Sequence, residues 1–133
     1  MSAIWSITPT TGTTPYSREG ASGVIIYDRF YIFGGFANDI YTDFKYLDMC
    51  TNKWEVIEPG QPLHEMPNAR FSHSLNQYKE QYLVMFGGAG TYLKSIKMRL
   101  CMNDVQIYDI SNNLWTKIGD QPLTPKARMS HVA

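Results

Sequence analysis

The chain has 133 residues, with 12 Lys+Arg against 12 Asp+Glu for a formal charge of zero, and 14% of it is aromatic. A balanced chain of this size is at most one ordinary domain, and no overall field draws it to nucleic acid or to anionic lipid. No apolar run approaches the roughly 18 residues that would cross a bilayer as a helix.

In chain order, the opening residues Met1-Ser2-Ala3-Ile4-Trp5 lack the basic segment and apolar core of a secretory signal. A lone strand is predicted over Ala3 to Thr8, with Trp5 as its packing residue. Gly20 to Tyr27 and Phe30 to Gly35 form the next two strands, joined by a tight turn near Asp28-Arg29. Phe44 to Met49 and Lys53 to Glu58 follow, separated by a turn at Cys50-Thr51-Asn52. The same pattern returns over Phe71 to Tyr78, Gln81 to Gly88, Asp104 to Ile110 and Leu114 to Ile118. Short runs of Val, Ile, Tyr and Phe broken by Asn, Asp, Gly and Pro predict strands throughout and no helix.

The two units agree residue by residue. One reads Arg18, then Ile32-Phe33-Gly34-Gly35, then Asp43, Asp48 and Trp54; the other reads Arg70, then Met85-Phe86-Gly87-Gly88, then Asp104, Asp109 and Trp115. Pro-x-x-Arg leads into each, and a third copy starts at Arg128. Repetition at this period specifies an array of like supersecondary units. The double glycine after a β-rich run, the paired aspartates and the Trp six residues beyond the second Asp resemble the kelch motif over essentially the whole chain. One departure is Leu47 where the family keeps Tyr, as at Tyr108. The resemblance implies an all-β fold of kelch-type β-propeller blades, each a four-stranded antiparallel sheet, set in an incomplete ring. The expected division is 1–17, the last strand of a closing blade and a connection; 18–66, the first blade; 67–125, the second; and 126–133, the start of another. A ring needs about four to eight blades, so the remaining ones must come from further sequence or another chain.

Gly34, Gly35, Gly87 and Gly88 are read as structural, ending a strand at positive φ and making room for neighbours. Trp54 and Trp115 are read as wedges between blades. No Lys-Ser/Thr or helix start follows the glycines, so they are not phosphate loops. His73 and His131 share one repeat position, which favours a structural, hydrogen-bonding role over metal ligation. Cys50 and Cys101 sit at non-equivalent positions without Cys-x-x-Cys spacing, and are read as free thiols of a cytoplasmic, reducing setting. No catalytic set, metal site or cofactor motif is found. The alternative is a propeller enzyme whose active-site residues lie outside this chain.

The functional signal lies in the loops. The connection after Gly35 is Phe36 to Tyr41, whereas its counterpart after Gly88, Ala89 to Met102, is eight residues longer. The insertion carries Tyr92, Lys94, Lys97 and Arg99 without an acid, and is read as a hairpin arm extending the second and third strands, either a docking surface or, equally, an extended, solvated blade edge. Basic and apolar together, it suits a protein partner with an acidic surface. Arg18, Arg70 and Arg128 are further partner-binding candidates, as an electropositive rim. Their repetition also favours a structural role, held by carbonyls or a neighbouring Asp. The expected function is non-catalytic protein binding as a scaffold or adaptor, with no nucleic acid and no membrane.

Overall fold

The computed structural model describes residues 2–119 and 122–133. Met1 and the Gln121 of the repeated Gln-Pro-Leu lie outside them. The strands are β1 (Thr11–Gly12), β2 (Ser22–Ile26), β3 (Arg29–Phe33), β4 (Phe44–Asp48), β5 (Lys53–Val56), β6 (Ser74–Tyr78), β7 (Tyr82–Phe86), β8 (Ala89–Leu93), β9 (Met98–Cys101), β10 (Val105–Asp109) and β11 (Leu114–Ile118). A 3₁₀ turn, Leu63–Glu65, sits in the Pro-rich connection where no helix is predicted. One blade has the order β1-β5-β4-β3-β2, the second β11-β10-β7-β6, and β8-β9 form a sheet of their own. The neighbours β2 to β5, and β6, β7, β10 and β11, all pair antiparallel.

Period-2 alternation sends one face of each sheet into a shared core. Tyr31, Phe33 and Phe44 of the first blade meet Leu83, Met85, Tyr108 and Trp115 of the second, all buried. The rings contact edge to face, with Phe44 and Tyr108 at 4.7 Å and 88° and Phe33 and Trp115 at 5.7 Å and 67°. The core is therefore the seam between blades, not the interior of either.

The Asp-to-Trp spacing has a local cause. Asp48 Oδ1 accepts from the N–H groups of Cys50 (2.9 Å) and Thr51 (3.1 Å), and Asp109 Oδ1 from those of Ser111 (2.9 Å) and Asn112 (3.2 Å). Asn52 and Asn113 then take φ of 54°, a conformation Asn tolerates, and the outer strand starts one residue before each Trp.

The amino-terminal segment departs from expectation. Residues 3–8 form no strand, and Trp5 is 95% exposed, so it is not a wedge. No strand among the described residues pairs with that segment, and a strand has no ladder bonds without a neighbour. Pairing begins later, where β1 lies parallel to β5 with Thr11 opposite Lys53 and Gly12 opposite Trp54. The second blade repeats the arrangement in looser form. Thr11 N–H donates to the Asn52 carbonyl and Gly60 N–H to the equivalent Asn113 carbonyl, both at 3.0 Å. Gln61 completes the match with its side chain, accepting from Trp115 N–H and donating to the Trp115 carbonyl. Each connection thus covers the outer edge of the blade it enters, which blunts an otherwise sticky strand.

Candidate interaction site

The repeated arginines are anchors. Arg70 is fully buried; its guanidinium donates to both carboxylate oxygens of Asp104 at 2.8 Å, to the Gly87 carbonyl at 2.9 Å and to the Asn68 carbonyl at 3.2 Å. Arg18 repeats this with both Asp43 oxygens, Gly34 and Tyr16. Burial alone would raise the Asp104 carboxyl, but the hydrogen bonds and charge of Arg70, with the Gln106 amide, outweigh it and hold the group below the usual carboxylate range. With side chains 5% and 0% exposed, Arg18 and Arg70 form no electropositive rim, because each guanidinium is spent inside its own blade. Arg128 is exposed, its Nε donating to the Lys126 carbonyl at 2.9 Å.

The diglycines join blade to blade. Gly34 and Gly35 have φ of +66° and +107°, and Gly87 and Gly88 have +67° and +97°. Gly35 N–H donates to the Arg70 carbonyl at 2.9 Å and Gly88 N–H to the Arg128 carbonyl at 2.8 Å, so each pair receives the arginine of the next unit. A Cβ on Gly34 would lie 2.3 Å from the Arg70 oxygen, which leaves hydrogen as the only side chain that fits.

The His73 ring makes no hydrogen bond among the described residues, although the residue's carbonyl accepts from Ser22 Oγ. Both ring nitrogens are buried without a partner among the described residues, and the ring stands at 85° against Phe33, 5.7 Å away, across the seam. Burial pushes its pKa from 6.5 down to about 3, with the Arg70 guanidinium and His131 adding to the effect. His131 differs, with Nε2 3.1 Å from Ser74 Oγ. The folded chain therefore takes up no proton at His73 until well below the pH at which the unfolded chain does. Stability from this group is intact above about 6.5 and falls toward pH 3 by about 1.4 kcal/mol per pH unit. Between pH 6.5 and 5, urea unfolding should show about 2 kcal/mol more loss for the parent than for His73→Leu; equal slopes would refute the assignment.

Trp115 is buried in the seam, while Trp54 is half-buried and turned to the far face of its sheet. There it lies opposite Leu47 and meets Phe30 edge-on at 6.3 Å. That face has no covering blade among the described residues.

The insertion is a hairpin, but it does not lengthen β7 and β10. Those strands stop pairing at Val105 and Phe86, the glycines turn the chain, and β8 and β9 pair separately. Lys94 and Lys97 are exposed in the turn, and Tyr92, Ile96, Met98 and Leu100 are 49%, 60%, 62% and 50% exposed. Arg99 belongs to the other side of the arm. Its guanidinium lies 4.8 Å from the Phe36 ring and 5.1 Å from the Phe71 ring, and it donates to the Gly90 carbonyl at 3.2 Å. Such a cation on two aromatic faces fastens the arm to both blades. The sequence carried no sign of this, since Phe36 and Phe71 belong to different repeats. A shallow cavity of about 300 Å³ remains between arm and first blade, lined by Phe36, Asp39, Ile40, Ala69, Tyr92 and Arg99. A larger cleft of about 610 Å³ opens at the other end of the blades, where Tyr27 Oη donates to Glu80 at 2.8 Å across the seam.

The family model described as the KLHDC2/KLHL20/DRC7 Kelch-repeats domain matches residues 1–133. The chain is 32% identical over 131 residues to Acyl-CoA-binding domain-containing protein 5 of Arabidopsis thaliana, covering 96% of this chain and 18% of that protein. It is 26% identical over 132 residues to Kelch domain-containing protein 10 of Homo sapiens, covering 96% and 28%, and 28% identical over 132 residues to that of Xenopus tropicalis, covering 96% and 31%. The chain thus spans between 18% and 31% of the length of these relatives.

Proposed function

This chain belongs to the kelch-repeat family, whose domains are generally protein-interaction modules, and from that premise we propose that it is a non-catalytic scaffold or adaptor that docks a protein partner with an acidic surface. The observation that carries the reading is the arm. It presents Lys94, Lys97 and Tyr92 beside exposed Ile96, Met98 and Leu100, with no acid from Ala89 to Asn103. Apolar anchors desolvate well, and flanking cations speed encounter with an acidic patch and orient it. Arg99 serves by holding the arm in place. The far face of the first blade, with Phe30, Leu47 and Trp54, takes a neighbouring blade from further sequence or from another chain. The thiols of Cys50 and Cys101 suit a reducing compartment such as the cytoplasm.

Charge reversal tests the reading without touching the core. Lys94→Glu with Lys97→Glu is expected to abolish retention of partner protein from cell extract on the immobilised chain, while the melting temperature stays within about 2 °C, since both side chains are exposed. Undiminished retention would remove the arm from the docking surface.

A further inference from the structure

We propose that the partner joins the arm as an added β-strand along the free edge of β9, presenting apolar side chains at alternate positions and acidic ones toward the hairpin tip. The proposal rests on the reading of the arm as the docking surface, and the backbone supplies its geometry. Ala89 spends both its N–H (2.9 Å) and its carbonyl (3.0 Å) on Phe71. In an antiparallel pair, opposed residues either both turn their polar groups toward each other or both turn them away. Cys101, the residue opposite Ala89, therefore points its N–H and carbonyl away from β8. The register shift between Ala89 and Tyr92 inserts its extra residue in β8, so β9 keeps strict alternation and Arg99 turns its pair to the same free edge. Among the described residues no backbone hydrogen bond from outside the β8–β9 pair reaches the N–H or carbonyl of either.

Side chains specify the occupant. Met98 and Leu100 share one face of β9 and stand 62% and 50% exposed beside that edge. Arg99 points to the opposite face, against Phe36 and Phe71, and keeps the edge in a fixed place. A strand laid along β9 gains main-chain hydrogen bonds for affinity, and its alternate side chains cover Met98 and Leu100 for specificity. A second copy of this chain is a poor occupant, because its own arm brings no acid from Ala89 to Asn103 and its Lys94 and Lys97 only add positive charge. Lysines at the hairpin tip disfavour pairing with another basic arm and favour a strand of opposite charge.

The probe is a synthetic seven-residue peptide of two glutamates followed by alternating valine and threonine, with two forms N-methylated on alternate amides so that each blocks one edge. Titrated into the chain, one N-methylated form is expected to lose at least about tenfold in affinity while the other binds like the parent peptide. Hydrogen exchange at the Arg99 and Cys101 amides is expected to slow on binding. Equal binding by both N-methylated forms, unprotected amides, or no saturable binding of the parent peptide would overturn strand addition. Lys94→Glu with Lys97→Glu separates the two readings. If it abolishes binding while both N-methylated forms bind alike, the arm is a docking surface but not a template for a strand. If it leaves binding intact while the two amides are protected, strand addition stands and the acidic-partner reading falls.

Discussion

Replacing Arg70 with alanine should cost the chain about 3–5 kcal/mol of folding stability, read as a shift in the urea midpoint. The guanidinium is fully buried and its Asp104 partner side chain is 15% exposed, so truncation strands a carboxylate and the Gly87 carbonyl away from water. The net worth of the intact pair is smaller than this loss, because both charges were desolvated to make it. Asp104→Asn should rescue part of the defect in the Arg70→Ala background, since it removes the unpaired charge. Arg70→Lys should remain destabilised, because an ammonium cannot match both carboxylate oxygens and the carbonyl with one planar fork. A loss under about 1 kcal/mol for Arg70→Ala would return this residue to the list of surface candidates.

Truncating Trp115 to alanine should be of similar size, about 3–5 kcal/mol, because it opens a cavity that the seam cannot close. The indole is 4% exposed and touches Phe33 at 5.7 Å, Phe44 at 5.2 Å and Tyr108 at 5.2 Å, drawn from three strands of two blades. Trp5→Ala should change stability by no more than about 0.5 kcal/mol, since that ring stands in solvent. Thermal or urea unfolding of the two variants side by side checks both statements, and comparable losses would mean that the seam is not where the structure puts it.

The repeat made the blades legible. Two glycines at positive φ, an Asp that closes a turn and a Trp two residues into the outer strand are local requirements, so they recur wherever the local structure recurs. Arg18 and Arg70 were harder to place. Their spacing to Asp43 and Asp104 is 25 and 34 residues, unequal because the arm adds eight residues and the β6–β7 turn one. Their recurrence favours a structural role, but contacts across such distances do not tell which Asp is the partner. Arg99 shows the same difficulty more strongly. Its charge and its place in a long loop suggest a partner, whereas its actual neighbours are two phenylalanines from separate units. Trp5 shares the residue type of the wedges without a neighbouring sheet to enter, and residue type alone could not reveal that.

Fold class, the order of strands within each blade and the extra length of one loop follow from the order of residues, because turns and strand alternation are set by neighbours a few positions apart. Which charges face solvent is a different kind of property. Arg18 and Arg70 vanish into the blades, Lys94 and Lys97 stand free, and Arg99 turns inward, because each outcome depends on what distant segments bring alongside. The same holds for the open edge of β9, which exists because Ala89 bonds to Phe71 and leaves Cys101 facing outward.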